Sequence, residues 1–184
     1  MNSDEILVQI AYEIAANAHH AQFRKKSHLP YIVHPCRVAS KVAMFHDAIL
    51  TAAAFTHDVL EDCDKEKLPY FISELKNLDP NVYNIVNELT YKGNSKAEKE
   101  DYLKSFSTKS TRALIIKLLD RLDNIEDFYN FGDSEYAVIY ANKARVLVDI
   151  WDNYSIDKAL QTGYNLAQID NIVEELIDWC ELYK

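Results

Sequence analysis

Turn-forming residues are so scarce in this chain that helices must carry nearly all of it. Three glycines and four prolines serve 184 residues, too few to punctuate a many-stranded sandwich or barrel. Gly93, Gly132 and Gly163 stand far apart. Their spacing excludes the dinucleotide and Walker-type glycine loops, and with them phosphate cradling by either fingerprint. Helical periodicity fills the space between turns. Ile6, Leu7, Ile10, Ala11, Ile14, Ala15 and Ala18 recur at i+3 and i+4 spacing, with Ser3 or Asp4 as the cap. Pro30 and Pro35 mark residues 24–33 as a loop, and a helix runs from Pro35 to about Phe45. Asp47 caps one helix through AILTAAAFTHDVLED. Further helices are predicted over about 66–77, 80–90, 95–106, 109–128, 134–151 and 165–182, with Asp79-Pro80 starting the second and each glycine between helices. The expectation is an all-α protein, a single domain over residues 1–184, of about eight to ten helices.

The formal net charge of −9 argues against a general nucleic-acid binder, which carries a basic excess. No apolar run approaches the roughly 18 residues of a membrane span, and MNSDEILVQ has acids where a signal peptide has bases. Cys36, Cys63 and Cys180 are an odd set without C-x-x-C spacing, which indicates neither a disulfide scaffold nor a zinc ribbon. These features predict a cytoplasmic protein with no membrane and no nucleic-acid partner, and they admit a homo-oligomer. One stretch departs from the acidic balance. From Ile14 to His46 there is no acid, while Arg24, Lys25, Lys26, Arg37 and Lys41 are basic. Such a segment suits a small polyanion; the plainer account is a solvated loop.

Six histidines must be weighed singly. His57-Asp58 ends the apolar run Ala48 to Thr56, and an imidazole beside a carboxylate at the end of a buried helix is costly unless compensated. A divalent cation would compensate. Glu61 lies at i+4 from His57 and i+3 from Asp58, which places a further carboxylate on the same helical face, with Asp62 next to it. An isolated His-Asp pair is ordinarily structural; the cluster of four shifts that balance. His46-Asp47 is the same dipeptide, but it precedes its helix, where Asp47 is an N-cap and His46 a solvated loop residue. His28 belongs to the basic loop, and His19 and His20 to the end of the first helix. His34-Pro35 aims an imidazole from a rigid corner. On the helix Thr111 to Phe128, Ile115, Leu118, Leu122 and Ile125 form the apolar stripe, with Asp120 and Asn124 one turn apart beside it. Taken alone, Asp120 reads as a simple ion-pair partner of Lys117 or Arg121.

The set His19-x-x-Gln22-x-Arg24-Lys25, Pro30-Tyr31-x-x-His34-Pro35, His57-Asp58-x-x-Glu61-Asp62, Leu89-Thr90 and Asp120-Arg121-Leu122-x-Asn124 resembles the HD-type hydrolase domain of the RelA/SpoT family. The likeness spans roughly residues 5–130 in order and spacing. With no synthetase region after it, the chain is most similar to the single-domain small alarmone hydrolases, which implies a compact HD-domain helical bundle. The resemblance implies one manganese ion held by His34, His57, Asp58 and Asp120, although such N/O ligands also suit other divalent transition metals. It implies that Glu61 and Asp62 position or activate the attacking water and that Asn124 supports the site. Arg24 and Lys25 would flank a guanine base, and Lys96, Lys143 and Tyr140 would meet phosphate. The implied activity is that of a phosphoric ester hydrolase, releasing the 3′-pyrophosphate of ppGpp or pppGpp to leave GDP or GTP.

The sequence departs from that family at three places. Asp123 stands where His or Tyr is common, Glu126 where Arg is frequent, and Ala21 where glycine is common. Two acids beside a polyanion site leave a second reading: an HD phosphohydrolase acting on NADPH, a nucleoside monophosphate or an adenine alarmone. A third is a non-catalytic helical module that binds a nucleotide or a protein partner, for which the 12 tyrosines would supply an interface.

Overall fold

The structure, a computed structural model, describes residues 2–153 and 163–181. It is helical, and among the described residues the only β-type pairing is an isolated bridge between Phe23 and Pro30. The chain divides into two compact units, Met1–Lys92 and Gly93–Lys184, at the break that Gly93-Asn94 signals in the sequence.

In the first unit, α1 (Ser3–Ala18), α2 (Val33–Val42) and α6 (Pro80–Leu89) pack around α3 (Ala48–Thr56), while α5 (Leu68–Leu78) lies against α1 and α6. The centre of α3 is small and apolar: Leu50, Ala52, Ala53 and Ala54 have no exposed surface. A helix apolar on every side is a buried helix, and its alanines let neighbouring helices approach closely. Caps set the boundaries. Asn2, one residue before the expected Ser3, accepts the Glu5 N–H at 2.8 Å, and Glu5 accepts the Asn2 N–H at 3.1 Å in return. This is a reciprocal capping box. Asp47 accepts the Leu50 N–H at 2.9 Å while His46 is exposed and left-handed at φ 52°, so the first His-Asp pair is a cap, as expected. Asp79 likewise caps α6, accepting from Asn81 and Val82 with Pro80 in the first turn.

One boundary differs. The predicted helix over AILTAAAFTHDVLED breaks at His57-Asp58, and α4 (Val59–Asp62) begins anew. Thr56 returns its hydroxyl to the Ala52 carbonyl at 2.9 Å and His57 Nδ1 lies 2.8 Å from the Ala54 carbonyl. Such back-bonding bends helices and competes for their carbonyls. Asp58, at ψ −5°, then opens α4. Similarly, α2 starts two residues before Pro35 and closes in a 3₁₀ turn at Ala43–Phe45.

In the second unit, α8 (Thr111–Asn130) packs against α9 (Ser134–Asp152) and α10 (Leu166–Glu181), and α7 (Lys96–Lys104) lies on α9. Residue 182 of the predicted last helix lies outside the described residues. The expected stripe on α8 is too narrow: Leu114, Ile116 and Leu119 are buried along with Ile115, Leu118, Leu122 and Ile125. Being buried on nearly every side, α8 carries Lys117, Asp120, Arg121, Asp123 and Asp127 inward as well. It ends at Phe131, and Gly132 turns the chain at φ 83°, the left-handed geometry for which glycine is suited.

The connector between α1 and α2 is held by the Arg24 N–H on the Leu29 carbonyl at 2.8 Å and the Tyr31 N–H on the Gln22 carbonyl at 2.9 Å. Ala21 in this connector is exposed and sits at φ 61°, the position where the family pattern has a glycine. A Cβ in that conformation costs about 1–2 kcal/mol, partly offset by the greater unfolded-state freedom of glycine. Ala21→Gly is therefore expected to raise Tm by about 2 °C, measured by calorimetry; a lower Tm would refute the account.

Candidate active site

The buried helix α3 delivers two donors at its end. His57 is 2% exposed and Asp58 is partly exposed. His34, in the first turn of α2, is 1% exposed. His34 Nε2 and His57 Nε2 lie 3.5 and 3.2 Å from the same oxygen, Asp58 Oδ2, and the two rings meet edge to face at 5.1 Å. The tautomer of His57 decides what this means. With Nδ1–H donating to the Ala54 carbonyl at 2.8 Å, the neutral ring turns the Nε2 lone pair toward the carboxylate. Two acceptors facing each other repel unless a proton or a cation lies between them. Imidazole and carboxylate are both ligands for divalent metals, and a backbone-oriented histidine is characteristic of them. The donor set therefore fits a divalent metal.

Tyr31 organises the carboxylates. Its hydroxyl lies 2.8 Å from Asp58 Oδ2 and 2.8 Å from Asp62 Oδ2. A phenol has one proton, so the second contact requires a proton on a carboxyl group. Asp62 is the candidate: burial of its carboxyl and then the Asp58 charge push it up, while the Tyr31 hydrogen bond draws it down. Tyr31 itself stays protonated, raised far above the ordinary phenol range by burial and by both carboxylates. Its ring stacks on His19 at 4.6 Å. His19 Nδ1 is 2.9 Å from Gln22 Oε1, and Gln22 Nε2 donates to the Asp62 carbonyl at 2.8 Å. Burial holds His19 low despite the Gln22 bond, so the ring is neutral. The sequence motif contains Tyr31 without assigning it a role; its signal is its place one helical turn before His34.

Glu61 and Asp62 part company. Because the helix breaks before them, Asp62 joins Asp58 through Tyr31, while Glu61 Oε2 accepts the Tyr91 N–H at 3.0 Å. The basic segment splits too. Arg24 is 8% exposed, with its guanidinium 5.7 Å from the Tyr31 ring centre, whereas Lys25 is exposed.

In the second unit, Asp120 is buried and accepts from Lys117 Nζ at 2.7 Å on Oδ2 and from Asn124 Nδ2 at 2.6 Å on Oδ1. Asn124 also donates to the Asp120 backbone carbonyl at 2.8 Å, which fixes both side chains one turn apart. Burial works to lower Lys117, but the adjacent Asp120 charge raises it overall, so the pair is ionic. Tyr140 lies under the Arg121 guanidinium at 4.8 Å and 5.9 Å from Lys143 Nζ; Lys96 is exposed at the start of α7. Asp123 has no exposed surface and Glu126 is half-buried.

A family model described as an HD domain matches residues 11–153. The guanosine-3′,5′-bis(diphosphate) 3′-pyrophosphohydrolase of Aquifex aeolicus is 36% identical over 134 residues, which are 70% of this chain and 18% of that protein. The chain spans less than a fifth of the length of the bacterial relatives it matches. The enzyme of the same description from Drosophila melanogaster is 35% identical over 172 residues, 89% of this chain and 90% of its own. The solved structure of a metazoan SpoT ortholog, described as hydrolysing ppGpp, superposes with a TM-score of 0.70 at 25% identity, covering 92% of this chain and 94% of that one. Among the described residues no helix is long and apolar enough to cross a membrane.

Removing the Tyr31 hydroxyl breaks the contacts that link Asp58 to Asp62. Tyr31→Phe is expected to weaken Mn²⁺ binding by about tenfold or more, as loss of a ligand-orienting partner does. Isothermal titration of the variant against the native protein tests this, and equal affinities would remove Tyr31 from the site.

Proposed function

The chain belongs to the HD-domain family, and from that membership we propose that it hydrolyses the 3′-pyrophosphate of ppGpp and pppGpp, yielding GDP or GTP and pyrophosphate. The observation that carries this reading is the convergence of His34 Nε2 and His57 Nε2 on Asp58 Oδ2, with the His57 tautomer held by Ala54. Asp120 completes the proposed ligand set; it, His34 and His57 are each buried and each of a metal-ligating type. We take the ion to be manganese. A bound divalent ion supplies Lewis-acid charge at the phosphoryl oxygens and acidifies water.

The chain's own residues do the rest. Lys117 and Asn124 fix the rotamer and charge of Asp120, as outer partners of metal ligands do. Asp62, pushed above the ordinary carboxylate range by burial and hydrogen-bonded to Tyr31, is suited to exchange a proton with the attacking water. Glu61, anchored to the Tyr91 N–H, is assigned to positioning that water. Arg24 and Lys25 flank the guanine; the Arg24 guanidinium, already lodged near the Tyr31 ring, is a flat cation suited to a π face. Lys96, Tyr140 and Lys143 are assigned to phosphate. Asp123 has no exposed surface, so its carboxylate does not line a solvent-facing pocket in direct contact with an anion.

The test is pyrophosphate release from ppGpp by Mn²⁺-loaded protein. Activity is expected to vanish with EDTA, return with Mn²⁺, and fall to background in His57→Ala and Asp58→Asn together with bound metal. Comparing kcat/KM for ppGpp, NADPH, nucleoside monophosphates and an adenine alarmone decides the substrate. A better substrate than ppGpp would overturn the guanosine assignment, and no metal-dependent turnover on any of them would overturn the enzyme.

A further inference from the structure

Among the described residues, Arg121 is a buried cation without a counter-ion. It is 3% exposed, and guanidinium keeps its charge wherever it is placed. Among the described residues no carboxylate pairs with it, and its Nε–H has no acceptor. Its contact is the face of Tyr140, 4.8 Å from the guanidinium carbon. One turn earlier on the same helix, Lys117 is also buried but has Asp120 at 2.7 Å. The unit thus neutralises one interior cation and leaves its neighbour open, although an uncompensated buried charge is strongly unfavourable.

More positive charge gathers around it. Lys143 Nζ is 5.9 Å from the same Tyr140 ring. Burial, then the charges of Arg121, Lys99 and Lys96, hold Lys143 below the ordinary lysine range, with Glu100 opposing. Helices α7, α8 and α9 therefore each contribute a cation to one locality. Like charges brought together repel, and a polyanion removes the repulsion.

We propose that Arg121, lying over the Tyr140 ring and flanked by Lys143 and Lys96, is the receptor for a diphosphate group of the substrate. The planar fork matches phosphoryl oxygens in a bidentate way that lysine does not, and the aromatic face fixes its plane. The identity of the ligand rests on the proposed nucleotide hydrolysis. The shared chemistry is a diphosphate, which the substrate carries at both its 3′ and 5′ ends.

The two products separate these ends. The full-length protein, in EDTA so that pyrophosphate does not act through a metal, is titrated by calorimetry with inorganic pyrophosphate and with GDP. Native protein is expected to bind at least one of them. Arg121→Gln should raise that Kd by at least about tenfold, and Arg121→Lys by less, while Lys65→Gln, which removes an exposed cation of the first unit, stays within about twofold. Loss toward pyrophosphate assigns the 3′ group, and loss toward GDP the 5′ group. If Arg121→Gln does not fold, as judged by its helical circular dichroism, Lys143→Gln takes its place with an expected loss of about threefold or more. Binding of neither product by the native protein, or native affinity in the folded variants, overturns the proposal. Diphosphate binding that depends on Arg121 in a protein that hydrolyses no nucleotide would refute the reaction and leave this site standing.

Discussion

The first unit depends on how a buried helix ends. α3 is lined by alanines and enclosed by α1, α2 and α6, so the residues after Thr56 inherit that enclosure before the chain can reach solvent. The first two of them are an imidazole and a carboxylate, His57 and Asp58. Water cannot satisfy them fully, and the backbone answers first: Ala54 takes His57 Nδ1 and Ala52 takes the Thr56 hydroxyl. Those bonds break the helix and turn the remaining lone pair of His57 toward Asp58. The break also sends Asp62, rather than Glu61, toward Tyr31. A packing constraint, a fixed tautomer and an ordered pair of carboxylates are one consequence of burying polar groups at a helix end.

The second unit meets the same constraint along a helix instead of at its end. α8 is buried on nearly all sides, yet it carries charged residues through its middle. Lys117, Asp120 and Asn124 solve the problem internally by pairing across single turns. Such a cluster resists change, because removing one member strands the others. Arg121 is the residue that this local pairing does not reach, and an aromatic face is a weaker substitute for an anion. A site that is incomplete in electrostatic terms is where a ligand has most to gain.

Much of this was legible in the residues. The two His-Asp pairs were separable because one precedes its helix, where Asp47 has orphan N–H groups to cap, and the other comes at a helix end. Helix positions were readable from periodicity and from the caps at Asp47 and Asp79. The break at His57 was not legible, since Thr56, His57 and Asp58 are compatible with a continuing helix until burial forces their polar atoms onto the carbonyls behind them. The width of the buried face of α8 was hidden for a related reason. A charged residue reads as solvent-facing in a periodic pattern, and Lys117, Asp120 and Asp123 are buried nonetheless. Tyr31 could be seen as part of a motif, but its role comes from a loop whose register, Tyr31 N–H on the Gln22 carbonyl, is a tertiary fact. Ala21 was recognisable as a departure and gained its meaning only from a φ of 61°.

The shortage of glycine has a mechanistic counterpart. A glycine loop binds phosphate with backbone N–H groups, whose charge and direction do not change with sequence. This chain has no such glycine loop, so in the proposed reading phosphate would be met by side chains, Arg121 above all. Side-chain recognition is adjustable by single substitutions, and an acidic residue nearby alters it directly. The Asp123 carboxylate is withdrawn completely from the surface and makes no direct contact with an anion in solvent. The net charge of −9 is compatible with an anionic substrate on the same grounds. Close charges outweigh distant ones once salt screens beyond about 8–10 Å, so the field that an anion at the proposed second-unit site would meet is set by Arg121 and Lys143 rather than by the chain total.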